Sequence, residues 1–138
     1  MFPRLAILVV LVSLNSCSGP TSESDTLRTP PNMILELYAP PDNDVQVIST
    51  TPDEALLTST VKSQEWADIT FVVLKRDDAN WFEVSGSLNP EDGLSARYSE
   101  NGEEHVSARA PESLDEGLSL LLSYFRDDRR WRQAIAWD

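Results

Sequence analysis

The sequence predicts an α+β fold: a largely antiparallel sheet with two helices packed on one face, in the order ββαββββαβ. Two features lead to this prediction. Short apolar segments recur along residues 33–138 and are separated by clusters of Pro, Gly, Asn and Asp, which is typical of strands joined by turns. Two other segments begin with helix-capping residues, which predicts helices there.

The first three elements are predicted as two strands and a helix. "MILELYA" (Met33–Ala39) is a strand candidate that "PPDND" ends as a turn. "VQVIS" (Val45–Ser49) alternates apolar and polar residues, as a half-buried strand does. Thr51, Pro52 and Glu54 then match a capping box, so a short helix follows in "TTPDEALLTSTVKS".

The middle of the domain is predicted to hold its central strands. "DITFVVLKR" (Asp68–Arg76) is a dense run of β-branched and aromatic residues, which favours a strand inside the sheet. "DDAN" turns the chain into "WFEVSGS". Alternation there places Phe82 and Val84 on one face and Trp81 and Glu83 on the other.

"LSARYSENGEEHVSARA" predicts a hairpin with two conceivable loop lengths. A two-residue Asn-Gly loop pairs Tyr98 with His105. A three-residue loop, Glu100–Gly102, pairs Tyr98 with Glu104 and builds a mostly apolar face, which a slip of one residue would destroy. Glycine also suits the left-handed position that closes three-residue loops. We therefore predict the three-residue loop.

"ESLDEGLSLLLSYFRDD" is the strongest helix signal. Ser113 and Glu116 match a capping box, and Gly117 costs the helix about 1 kcal/mol in propensity. The apolar residues form a stripe at helical spacing: Leu114, Leu118, Leu121, Leu122 and Phe125. After "RDDRR", the short closing segment "WRQAIAWD" is predicted to be the last strand.

The N-terminus looks like a bacterial lipoprotein signal. Leu5–Leu14 is an almost unbroken apolar run of ten residues after Arg4, shorter than the ~20 residues that span a membrane. It leads into "LNSC", which resembles a lipobox ending at Cys17, the only cysteine. The thiol would carry diacylglycerol as a thioether. The alternative is an ordinary leader with a buried or reactive cysteine.

These features divide the chain into three parts. Residues 1–16 are predicted to be the signal peptide, and residues 17–32 a lipidated, disordered Ser/Thr/Pro-rich tether. Residues 33–138 are long enough for one domain with a modest core. The expected location is the bacterial cell envelope, at the outer membrane if the host has one, because Ser18 stands where an inner-membrane retention Asp would lie.

The charge restricts the partners. The chain has a formal charge of −12, and loss of Arg4 with the signal peptide leaves ten bases against 23 acids, or −13. Such a charge argues against nucleic acid and anionic lipid as ligands and is compatible with a basic protein. The expected membrane contact is the lipid on Cys17, which would anchor the chain without spanning the bilayer.

The residues offer little for catalysis. His105 is the only histidine, whereas nucleophilic catalysis needs a nucleophile positioned beside such a base, and zinc needs three or four protein ligands. We therefore expect no enzyme, no metal and no cofactor. The abundance of carboxylates leaves an acid pair open.

Tryptophans beside charged residues suggest a binding face, because aromatic and charged groups dominate interface energetics. Trp66 and Trp137 are interpreted as core residues, whereas Trp81 is equally compatible with core and surface. The candidate partner-binding residues are Asp77, Asp78, Trp81 and Glu83.

The run "NWFEVSG…GLSARYSENGEEHVSARA", followed by "LDEGLSLLLSYFRDDRRWRQAIAWD", resembles the first-numbered immunity-protein family of bacterial polymorphic toxin systems. The corresponding elements are a hairpin (Leu94–Ala110), a helix ending at a charged break (Leu114–Arg126) and a closing strand with a tryptophan (Ala134–Trp137). The resemblance covers residues 33–138 as an order of elements and is closest from about residue 80. It implies a small α+β protein that binds and blocks a toxin domain.

Two functions follow from these observations. The first is a membrane-anchored, non-catalytic lipoprotein that neutralises a toxin, which would then act in the envelope, although such immunity proteins are commonly cytoplasmic. The second is an envelope lipoprotein with a structural or ligand-binding role unrelated to toxins.

Overall fold

A computed structural model describes residues 32–138, which form one six-stranded sheet with three helices. The predicted signal peptide and the lipidation site at Cys17 lie outside the described residues, and so does all of the tether except Asn32.

The predicted α+β class and the antiparallel sheet are confirmed. The strand order is β2-β1-β3-β4-β5-β6, and every neighbouring pair is antiparallel. The strands are β1 (Ile34–Tyr38), β2 (Val45–Ser49), β3 (Thr70–Asp77), β4 (Asn80–Gly86), β5 (Leu94–Glu100) and β6 (Glu103–Val106). The helices are α1 (Glu54–Ser63), α2 (Leu114–Arg126) and α3 (Trp131–Ala134).

One face of the sheet carries the core beneath α1 and α2. Phe82 lies at its centre, fully buried, with the rings of Tyr124 and Trp131 at 5.2 and 5.3 Å from its own. Aromatic pairs at such separations add to the free energy gained by burying their area. As predicted, Phe82 and Val84 point into this core, and Trp66 belongs to it as well.

The first helix begins later than predicted. Asp53, not Thr51, is its N-cap, and the Asp53 carboxylate accepts a hydrogen bond of 2.7 Å from the backbone N–H of Leu56. An aspartate at this position also interacts favourably with the positive end of the helix dipole. The capping box of α2 is confirmed in part, because Ser113 accepts from the Glu116 N–H at 3.1 Å while the Glu116 carboxylate turns to the Glu112 N–H.

The buried face of α2 is broader than the predicted stripe. Leu118 and Leu121 are buried as expected, and Leu120 and Tyr124 join them. Leu114, Leu122 and Phe125 are only partly buried. The difference arises because α2 packs against both the sheet and α1, so it needs two adjoining apolar surfaces.

The predicted three-residue hairpin loop is wrong. Tyr98 pairs with His105, and the loop consists of Asn101 and Gly102, both with positive φ (54° and 84°). Positive φ at both central residues defines the turn that best matches strand twist, and Asn-Gly is its preferred sequence. The apolar cover expected from β6 comes instead from the Trp137 ring, 4.9 Å from that of Tyr98.

The closing segment is a short helix, not a strand. Asp128 accepts a hydrogen bond of 2.9 Å from the Arg130 N–H, and Ser123 accepts one from the Trp131 N–H at 2.9 Å. These bonds fold the chain back so that Trp131 enters the core. The last residues still lie beside the end of β6, with an isolated antiparallel bridge between Ser107 and Trp137 and a 2.8 Å hydrogen bond from the Ala108 N–H to the Ala136 carbonyl.

Strand β2 is more exposed than a half-buried strand. Val45 and Val47 are 51% and 56% exposed, and the strand forms one edge of the sheet. The opposite edge, β6, is paired with the end of the chain, where the Asp138 N–H donates to the Val106 carbonyl at 2.9 Å. The two edges therefore differ in how much free backbone they present.

Candidate binding groove

The second face of the sheet, opposite the helices, carries a different set of side chains. We call it the outer face. The strand register places Glu36 of β1, Val73 of β3, Glu83 of β4 and Arg97 of β5 in one row across the sheet. Because strand residues alternate between faces, each of these side chains points away from the core that its neighbours in sequence build.

A groove of about 470 Å³ lies in this outer face, formed by β1, β3, β4 and the turn after β3. Its volume falls in the range of ligand pockets in proteins. Aromatic and acidic side chains dominate its lining, principally Glu36, Tyr38, Phe71, Asp78, Trp81 and Glu83.

The aromatic walls are held in place by their neighbours. The rings of Tyr38 and Phe71 meet edge to face with centroids 6.1 Å apart. On the other side, the Arg97 guanidinium lies 5.7 Å from the Trp81 ring, within cation–π distance. Both walls stand on strands, so the groove is built on rigid elements.

At one end of the groove, a lysine neutralises two carboxylates in part. The Lys75 ammonium lies 3.2 Å from Asp78 and 3.7 Å from Glu36. The Tyr38 hydroxyl donates a 3.2 Å hydrogen bond to the same Glu36 carboxylate. Hydrogen bonding to Asp78 raises the pKa of Lys75, because the bond favours the charged ammonium.

At the other end, Glu83 is nearly buried and poorly partnered. Its side chain is 12% exposed, and its Oε1 atom makes no hydrogen bond among the described residues. The nearest cation is Arg97, whose Nη1 lies 4.0 Å away while its Nη2 binds Glu104 at 2.7 Å. Burial raises the pKa of Glu83, and the nearby Ser85 hydroxyl and Arg97 charge oppose this effect.

Three of the four predicted binding residues meet in this groove: Asp78, Trp81 and Glu83. Asp77 does not line it. The Asp77 carboxylate holds the turn between β3 and β4, accepting from the Ala79 N–H at 2.8 Å and from the Asn80 side chain at 2.9 Å. These bonds also lower the pKa of Asp77.

Sequence reasoning did not find the rest of the lining. Glu36 and Tyr38 alternate with buried leucines in β1, and Phe71 and Lys75 lie on the opposite face of β3 from the buried Val72 and Leu74. That alternation is visible in the sequence, but only the register shows that β1 and β3 lie beside each other. The missing information was the pairing of strands separated by α1.

The remaining tryptophans serve the core. Trp66 and Trp131 are buried, and the Trp66 indole donates to the Val61 carbonyl at 2.8 Å. Trp137 is partly buried against the same core, as predicted, and its indole donates to the Trp131 carbonyl at 3.3 Å. Trp81 alone of the four lines the groove.

His105 lies on the hairpin, with its ring stacked 4.7 Å from that of Tyr98. Its Nδ1 is 3.2 Å from the Asp138 carbonyl oxygen. Within residues 32–138, no three His, Cys, Asp or Glu side chains are placed to hold a metal ion together. The same residues contain no helix of sufficient length and apolarity to cross a membrane.

Comparison of the chain with known protein families, with curated proteins and with solved structures found no significant match. The fold and the groove are therefore interpreted from their own residues.

Proposed function

We propose that this protein is a membrane-anchored, non-catalytic lipoprotein that binds and neutralises a toxin domain, in the manner of an immunity protein. The observation that carries the proposal is the outer face of the sheet, where an aromatic and acidic groove lies opposite the helices. Aromatic residues that remain at a surface are typical anchors of protein interfaces.

Charge supports a basic partner. Three carboxylates and one ammonium line the groove, and the whole chain carries −12. Complementary charge raises the rate at which partners meet and rejects acidic competitors. Toxin domains that attack nucleic acids must themselves approach a polyanion, so a basic surface suits their chemistry.

The proposed anchor decides where such a toxin would be met. Lipidation of Cys17, with its two or three acyl chains, would hold the domain at a membrane, since each buried methylene contributes about 0.8 kcal/mol. The domain would then neutralise a toxin that acts in the envelope.

The test is capture of a partner by the full, lipidated chain. We would express it with a C-terminal affinity tag in its native host, crosslink, purify in mild detergent and identify bound proteins by mass spectrometry. We expect one basic protein, released by added salt, whose expression is lethal without this chain and tolerated with it. A captured protein that is harmless in the absence of this chain would contradict the proposal.

The alternative is an envelope lipoprotein with a structural or ligand-binding role. It is favoured by the size of the groove, which also suits a small molecule. Deletion of the gene separates the two: an envelope defect in cells that encounter no toxin supports the alternative.

A further inference from the structure

The groove carries an unbalanced negative charge. Among its lining residues, Glu36, Asp78 and Glu83 are acidic, and Lys75 is the only base. Lys75 lies near Glu36 and Asp78, so Glu83 has no basic partner among the lining residues, and its nearest cation is Arg97, 4.0 Å away. The imbalance is therefore concentrated at the Glu83 end.

Arg97 compensates the charge of Glu83 only in part. Its closest carboxylate is Glu104, at 2.7 Å, whereas the 4.0 Å separation from Glu83 is longer than a hydrogen bond. A carboxylate oxygen that is buried without a hydrogen-bond donor destabilises the free protein. The Glu83 end thus lacks one donor, and a donor that carries positive charge would stabilise it most.

The walls suit the rest of a basic side chain. Val73 is only 7% exposed and lies between Glu36 and Glu83 in the row, forming an apolar floor. Long basic side chains bury their methylene stems along such surfaces while the charged head pairs elsewhere. The Trp81 and Phe71 rings, which also line the groove, can then contribute cation–π attraction.

We propose that the groove binds a lysine or arginine side chain of the protein partner, with the cationic head donating to the Glu83 carboxylate. The identity of the partner rests on the proposed function, but the chemistry of the groove can be tested without knowing the partner. An anion would face the excess of carboxylates, an apolar side chain would leave the Glu83 Oε1 atom without a hydrogen bond, and a neutral donor would leave the charge of the groove unbalanced. A basic side chain alone supplies both the charge and the donor.

The probe is a fluorescent pentapeptide, acetyl-Gly-Arg-Gly-Arg-Gly, titrated with the full chain in a neutral detergent and read by fluorescence polarisation. The matched probe replaces arginine by citrulline, which keeps the shape and removes the charge. Glu83→Gln is the test variant. Glu65→Gln is the matched control, because Glu65 is an exposed acid on the loop after α1.

We expect the arginine peptide to bind at least tenfold more tightly than the citrulline peptide. Glu83→Gln should weaken its binding about tenfold or more, since loss of one member of a buried charge pair is costly. Glu65→Gln should change it less than twofold. Equal binding of the two peptides, or equal loss in the two variants, would show a general attraction to an acidic protein and overturn the proposal.

The two proposals can fail separately. A toxin captured equally well by the native chain and by Glu83→Gln would overturn the groove assignment and leave the immunity function standing. The opposite result combines charge-selective peptide binding that depends on Glu83 with a capture experiment that yields no toxin. It would support the groove assignment and count against the immunity function.

Discussion

Gly117 lies in the middle of α2, where glycine is a poor helix former, and the structure supplies a reason for it. A methyl group at this position would lie 2.9 Å from the Cγ1 atom of Val84, which is buried in β4. Valine is stiff about its first side-chain torsion, so it cannot easily turn away. Glycine therefore allows α2 to pack close against the sheet.

The Gly117→Ala substitution sets two effects against each other. Alanine improves helix propensity by about 1 kcal/mol. The added methyl overfills a packed core, which typically costs about 1–3 kcal/mol. Since the contact is with a buried, β-branched side chain, we expect the cost of overpacking to exceed the gain in helix propensity. The free energy of unfolding should then fall by about 1 kcal/mol.

A second substitution tests this explanation directly. Val84→Ala removes both Cγ atoms near position 117 and alone should cost about 2 kcal/mol through lost burial and a new cavity. In the double variant, the methyl group added at position 117 occupies part of that cavity without a clash. We expect the pair to be more stable than the sum of the single changes predicts, by about 1–2 kcal/mol.

The assay is urea unfolding followed by tryptophan fluorescence, in a chain that carries Cys17→Ser to remove the proposed lipidation site. All variants are compared at equal temperature and pH, with the slope against urea fitted for each. A stabilising Gly117→Ala variant, or strict additivity in the double variant, would refute the close-packing explanation and leave the glycine as a simple cost to the helix.

Three further changes test the rest of the structure. Glu83→Gln should raise the free energy of unfolding at pH 7 by about 1 kcal/mol. Because burial raises the pKa of Glu83 in the folded state, this gain should shrink as the pH falls toward the unfolded-state pKa near 4.3. A gain that stays constant in urea melts from pH 4 to pH 7 would contradict this prediction. Gly102→Ala should lower the free energy of unfolding by about 1 kcal/mol in the same melts, from backbone strain alone, because φ is +84° and the new methyl group meets no atom within 4 Å. An unchanged urea midpoint would argue against the two-residue loop. Arg126→Met should lower the free energy of unfolding by no more than about 0.5 kcal/mol in low salt, because this arginine and its partner Glu54 are 49% and 45% exposed and exposed ion pairs contribute little. A loss above about 2 kcal/mol would contradict this prediction.

Local sequence patterns predicted the elements well where the structure of a strand or helix depends on its own residues. The alternation in β4 correctly separated Phe82 and Val84 from Trp81 and Glu83. The Ser113 cap likewise located the start of α2. In these cases the signal is contained in a few neighbouring residues, so no tertiary information is needed.

The wrong prediction for the hairpin loop arose because distant segments decide that structure. The three-residue loop is predicted because it builds a mostly apolar face from β5 and β6, but Trp131 and Trp137 pack against Tyr98 from the end of the chain, at 4.6 and 4.9 Å between rings. With that cover supplied, Asn101 and Gly102 adopt the turn their own conformational preferences favour.

The groove was half predictable for the same reason. Asp78, Trp81 and Glu83 come from one hairpin, so their closeness in sequence was enough to group them. Glu36 and Tyr38 reach them only because β1 lies between β2 and β3, a pairing that bridges α1. The sequence contains no local mark of that adjacency.

The location of the groove on central strands has a consequence for binding. Glu36 is 7% exposed although it lies on the outer face, because the neighbouring side chains of that face surround it. Tyr38 and Lys75 hold its carboxylate in place, so this end of the groove is already ordered in the free protein. Binding of the proposed partner would therefore cost little conformational entropy at this end, and its free energy would be concentrated at Glu83, whose Oε1 atom lacks a hydrogen bond.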